Sequence, residues 1–155
     1  MKNYSSKLAL AARLILGLVF FVFGLNGFLH FIPQPPAPPA AAAFAGALFA
    51  SGYFFPLLKS IEVLAGALLL AGLFVPLALT ALAPIIVNIA AFHLFLAPGN
   101  YVVVGLILSA EIYLGWAYRA AFAPMLAMRS RPHAAGAVAS PQGSPDGRLG
   151  SVSHA

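Results

Sequence analysis

The chain contains no cysteine. Disulfides, thiol catalysis, Cys-ligated zinc, iron–sulfur clusters and covalently attached c-type haem are therefore all excluded. Charge is the second shortage. Only 7% of the 155 residues are charged, against ~25% in an average soluble domain, while 62% are hydrophobic. The few charges are also segregated. Residues 1–13 carry Lys2, Lys7 and Arg13, residues 14–118 only Lys59, Glu62 and Glu111, and residues 119–155 four arginines and Asp146, giving +3, −1 and +3. A middle stretch so poor in charge presents no wettable surface, which excludes a soluble enzyme, a soluble binding module and a disordered protein. Its length holds about four spans of ~20 residues with tight connections. The positive charges flank apolar stretches and form no dense patch, so the partner they suit is the lipid bilayer and not nucleic acid.

The hydropathy and turn signals predict an all-α membrane protein, a four-transmembrane-helix bundle occupying residues 1–128. The first span runs over about 8–31. The competing reading of a signal peptide is disfavoured, because the small-residue string Ala45-Gly46-Ala47 lies far past the most apolar part, Leu14–Leu25. Residues 33–39 are dominated by proline, which lacks the donor N–H and restricts its predecessor, so they form an extended segment. Ala40–Phe49 is too short to cross and predicts an interfacial helix with Phe44, Leu48 and Phe49 on one side, or else an apolar loop packed on the bundle. The second span, about 56–75, starts at Pro56 in a first helical turn. Pro76 alone separates it from the third, about 77–97, where Pro84 should kink the helix and free the Thr80 carbonyl. Pro98-Gly99-Asn100 is a turn signal, and the fourth span covers about 101–122. Residues 129–155, rich in Arg, Ser, Pro, Gly and Ala, predict a disordered cytoplasmic tail.

Both ends are basic and the 32–55 and 98–100 connections carry no charge, so the positive-inside rule places both termini in the cytoplasm. The expected location is a plasma (inner) membrane, crossed several times. Arg13 and Arg119 fall at the cytoplasmic edge, where a long basic side chain reaches out to lipid phosphates.

Seven strongly polar side chains fall within the spans: Asn26, His30, Lys59, Glu62, Asn88, His93 and Glu111. Counting ~1.5 Å per residue from the outer edges puts Asn26 roughly 8 Å deep, His30 about 2 Å, Lys59 about 5 Å and Glu62 about 9 Å. His93 comes to about 6 Å, Asn88 to about 14 Å and Glu111 to about 15 Å. All seven then lie in the outer half, which predicts one polar pocket opening outward. Asn26 and His30 share a helix face, and Lys59 and Glu62, three apart, can pair. Glu111 shares a face with Gly115 and Tyr118, and with no cation at its depth it must be protonated, water-contacted or paired. The structural alternatives stand beside this reading: interhelical hydrogen bonds for the two asparagines, a structural pair for Lys59–Glu62, a reach to the interface for His30 and a bond to a carbonyl for His93. Two histidines without support are a thin basis for haem, and no metal set, phosphate loop or nucleophile motif is present. Gly17, Gly24, Gly66 and Gly72 offer small surfaces for close helix contact.

Several strings together resemble the DoxX family. They are Arg13-Leu14-Ile15-Leu16-Gly17 with Phe23-Gly24-Leu25-Asn26-Gly27, Glu62-x-x-x-Gly66 with Leu68–Gly72, Pro84-Ile85-Ile86-Val87-Asn88, Phe92-His93, and Ala117-Tyr118-Arg119. The similarity covers about residues 8–127, in order, and omits the tail. It implies a small, mostly prokaryotic, four-helix integral membrane protein. Relatives include the small membrane subunit of a thiosulfate:quinone oxidoreductase, and some members associate with redox enzymes. Fold alone does not carry that activity over.

Three functions fit this pattern. One is a redox-linked membrane component with an enzyme partner, binding a quinone or another small polar-headed molecule, with Glu62 and Glu111 exchanging protons. Asn26, His30, Asn88 and His93 would hydrogen-bond its head group. The second is a non-catalytic membrane scaffold. The third is a small transporter or proton pathway, for which four spans are few unless the chain forms a homo-oligomer.

Overall fold

A computed structural model of the chain describes residues 2–33, 36–99 and 101–125, with side chains from residue 6 onward. The expected tail lies outside the described residues. Those described form six helices and no strand. They are α1 (Lys2–Leu29), α2 (Pro39–Ala50), α3 (Phe54–Ala71), α4 (Val75–Phe95), α5 (Tyr101–Ala117) and the single turn α6 (Arg119–Phe122).

The helix ends follow from local chemistry. α1 stops where His30 takes a left-handed conformation, φ 52°, which is costly for a side chain with a Cβ. The Asn26 side chain holds the exit in place by bonding both backbone groups of Ile32. α2 begins at Pro39, whose missing N–H is not needed in a first turn, so the proline-rich segment ends one residue earlier than expected. Its far end is joined to α3 through Ser51, whose hydroxyl donates to the Leu48 carbonyl and accepts from Phe54 N–H.

The break between α3 and α4 corrects the expectation that Pro76 alone divides them. The link is Gly72–Phe74. Gly72, at φ 73°, supplies the left-handed residue, and Leu73 N–H bonds back to the Leu68 carbonyl at 3.0 Å, closing the helix end. Pro76 falls in the first turn of α4, where proline costs nothing. The last expected span is also shorter than predicted, because α5 ends at Ala117. There Arg119 donates to the Trp116 carbonyl, an acceptor that a continuing helix would use, and α6 follows as a separate turn.

α1, α3, α4 and α5 pack in that cyclic order, α5 closing against α1. The α1–α3 contact is antiparallel, and glycine sets its closeness. A methyl group on Gly66 would lie 2.5 Å from the backbone N of Phe21, and one on Gly17 would lie 3.1 Å from the Gly66 carbonyl. Backbones this near exchange dispersion contacts that larger residues would prevent. The core is Leu16 and Phe20 of α1, Leu69 of α3, Leu79, Leu82 and Ile86 of α4, and Ile107 and Leu114 of α5. Every buried residue of α4 lies between Val75 and Ile86, so dense packing stops just past Pro84. Toward α2 the helices leave space.

The outside of the molecule is apolar. Leu18, Leu64, Leu77, Val87, Leu94 and Ile112 are all more than half exposed. A continuous surface of this kind suits lipid and not water. Three helical stretches, Ser6–Leu29, Phe54–Ala71 and Val75–Phe95, are long and apolar enough to cross a membrane.

Candidate functional site

The space left beyond Pro84 is a cavity of about 510 Å³. α1 contributes Val19, Phe20 and Phe23, α5 contributes Val103 and Ile107, and α2 brings Phe44 and Leu48 over it. These walls are apolar. The polar side comes from α3 and α4, through Lys59, Glu62, Asn88 and His93. Phe44 packs against Phe92 at 6.0 Å between ring centroids, and Phe49 against Phe55 at 5.8 Å. α2 is thus a helix and not a loop, touching the bundle through these rings while most of its residues stay exposed.

Lys59 and Glu62 form an ion pair, Nζ to Oε2, at 2.7 Å. One helical turn brings the two residues to the same face. Glu62 is 3% exposed, and the Lys59 ammonium also lies 5.6 Å from the centre of the Phe55 ring. The lysine stem reaches this position by lying across Gly27 of α1, where a methyl group would fall 2.5 Å from its Cγ and Cδ. His93 directs Nδ1 to the Ile89 carbonyl at 2.9 Å. A carbonyl only accepts, so Nδ1 carries the proton and, in the neutral ring, Nε2 remains as an acceptor. Asn88, exposed on α4, adds an amide with both donor and acceptor capacity.

The cavity gathers four of the seven polar residues singled out from the sequence. The other three are elsewhere. Asn26 is buried and spends its side chain on Ile32, with Ile32 N–H to Oδ1 at 2.6 Å and Nδ2 to the Ile32 carbonyl at 3.3 Å. Neither bond crosses between helices, because the partner is the chain's own exit from α1. His30 is exposed at that exit. Glu111 is not among the cavity's lining residues, and its Oε2 is buried without a hydrogen-bond partner among the described residues. Depth along the helix axes placed all seven in the outer half, but azimuth around each axis separates them.

The residues expected at interfaces divide in the same way. Arg13 is partly exposed and packs its guanidinium over Gly72, at the carbonyl-rich C-terminus of α3, where a cation is favoured. Arg119 is exposed and lies 4.7 Å over the Trp116 ring. Tyr118 packs against the core. Pro84 lines the cavity. The Thr80 hydroxyl bonds the Pro76 carbonyl at 2.8 Å.

Sequence reasoning missed the aromatic walls. Phe20, Phe23, Phe44, Phe54 and Phe55 line the cavity, yet nothing separates them from the chain's 13 phenylalanines except the fold. Comparison with models of protein families, with curated proteins and with solved structures returns no match.

Proposed function

We propose that this is a four-span inner-membrane protein of the DoxX type whose cavity holds a quinone or another small polar-headed molecule within a redox-linked assembly. One observation carries the reading: a partly open cavity with apolar walls, five phenylalanines among them, and a polar side made by Lys59, Glu62, Asn88 and His93. Small-molecule sites have this composition, apolar area for affinity and a few polar groups for orientation. The fourth span is α5. Its 17 residues reach ~25 Å, at the lower limit for a crossing, and it packs between α1 and α4. The positive-inside rule puts the α2 end outside, so the cavity faces the periplasm or cell exterior. Electrons would come from a partner enzyme.

Within the site, Lys59 and Asn88 donate to a carbonyl-type oxygen, His93 Nε2 accepts from a hydroxyl, and the Lys59–Glu62 pair offers a proton held between two groups. The test is mass spectrometry of small molecules extracted from protein purified in mild detergent. A stoichiometric lipid-soluble compound in the native protein, depleted in an Asn88→Leu/His93→Leu variant that retains its fold, supports the reading. A folded protein free of any such compound, with no saturable uptake of added decyl-quinone, overturns it.

A specific observation favours a second reading, a membrane scaffold. Asn26 and the Lys59–Glu62 pair satisfy one another or their own backbone. A stable enzyme partner that still co-purifies with the Asn88→Leu/His93→Leu variant is the result this reading expects.

A further inference from the structure

The charge on the polar side of the cavity is balanced before any ligand arrives. Lys59 is the one cationic lining residue and Glu62 the one anionic, and they are bonded to each other at 2.7 Å. Moving the proton from nitrogen to oxygen leaves the pair neutral. Lysine near a membrane surface ordinarily turns outward to water. Here Gly27 leaves room for the stem to run along α1, so the ammonium sits at Glu62 and beside Phe55. The remaining polar groups are the Asn88 amide and the His93 ring, whose Nδ1 is already bonded to the Ile89 carbonyl.

A charged ligand would bring an uncompensated charge against apolar walls, which is unfavourable unless it breaks the existing pair. A neutral ligand avoids that cost and still meets donors and acceptors. Resting on the proposed small-molecule site, we infer that the cavity selects against charge: its ligand is a net-neutral amphipathic molecule carrying both an acceptor and a donor, and the Lys59–Glu62 pair, held by Gly27, is the specificity-determining element.

The test uses three dodecyl probes with the same tail, dodecanamide, dodecanesulfonate and dodecyltrimethylammonium. Each is titrated into the full-length protein in lipid nanodiscs and corrected for uptake by empty nanodiscs. The amide is expected to bind at least roughly ten-fold tighter than either ion, since ten-fold is only 1.4 kcal/mol. Glu62→Gln leaves the lysine charge unbalanced and should reverse the order, placing the sulfonate first. Lys59→Gln/Glu62→Gln restores neutrality and should restore the amide. If Glu62→Gln does not fold, Lys59→Gln decides: it leaves the Glu62 charge unbalanced and should place dodecyltrimethylammonium first, and an unchanged amide preference there overturns the inference.

Equal binding of all three probes, or an unchanged amide preference in folded Glu62→Gln, overturns the charge-selection inference and leaves a binding site standing. Absence of saturable binding by any probe overturns the site itself.

Discussion

The stem of Lys59 lies across Gly27, so close that a methyl group on the glycine would fall 2.5 Å from Cγ and Cδ of the lysine. Gly66 stands in the same α1–α3 seam but faces backbone, the N of Phe21, at the same virtual distance. The two glycines therefore respond differently to alanine. In Gly66→Ala the helices themselves must part, which costs roughly 1–3 kcal/mol as overpacking does. In Gly27→Ala a single side chain must move, from Cγ outward, while the backbones can stay, so stability falls less, but Lys59 loses its place at Glu62. In a Lys59→Ala background, which removes Cγ and Cδ, Gly27→Ala should then become silent. Gly105 of α5 has nothing within 4 Å, and Gly105→Ala should be neutral or gain up to about 1 kcal/mol of helix propensity. Thermal unfolding in detergent orders the four variants, and equal losses at Gly66 and Gly105 would contradict the seam.

Breaking the ion pair should cost more than deleting it. Lys59→Leu or Glu62→Leu alone leaves a buried charge without its partner, a loss of about 3–5 kcal/mol for such pairs. Lys59→Leu/Glu62→Leu should recover most of that loss. Unfolding midpoints for the cycle give the coupling directly, and additive single effects would mean that the two side chains do not depend on each other.

Asn26 is expected to act as a structural residue. Asn26→Ala removes two hydrogen bonds to Ile32, each worth about 0.5–1.5 kcal/mol. Asn26→Asp keeps the 2.6 Å acceptor and loses the donor, so it should fall between. Hydrogen exchange at Ile32 should rise in the order native, Asp, Ala. Protection unchanged in Asn26→Ala would place the hold on this exit elsewhere.

Glu111 buries Oε2 without a partner among the described residues, a cost that an apolar side chain would not carry. Glu111→Leu is expected to raise the unfolding midpoint, and Glu111→Gln to keep the fold. A folded Glu111→Gln with lost activity would assign the carboxyl a proton-handling role. A lower midpoint in Glu111→Leu would show that the carboxyl has a partner in the membrane, from lipid, water or a second chain.

Orientation is tested by single cysteines, which the native chain does not contain to confuse the result. An impermeant thiol reagent on intact cells should label a cysteine at Ala37 and spare one at Ser140. The opposite pattern would invert the molecule.

What was readable from the residues alone is what depends on neighbours in the chain. Apolar runs marked α1, α3 and α4, the proline string marked the gap before α2, and the i to i+3 spacing marked the Lys59–Glu62 pair. Even there, turn chemistry was decided by competition: Gly72 in a left-handed conformation ended α3 before Pro76 could, because a proline in a first turn breaks no bond. Azimuth was not readable. Asn26, His93 and Glu111 were equal members of one list until helix packing turned one to its own backbone, one to the cavity and one away from it. Hydropathy in a chain that is apolar on every face carries no signal for which side meets a neighbouring helix, so rotation about each axis is set by contacts between distant residues. The glycine seam, where Gly66 meets Phe21 and Gly27 admits Lys59, fixes α3 against α1, and the cavity exists because packing on α4 ends at Ile86.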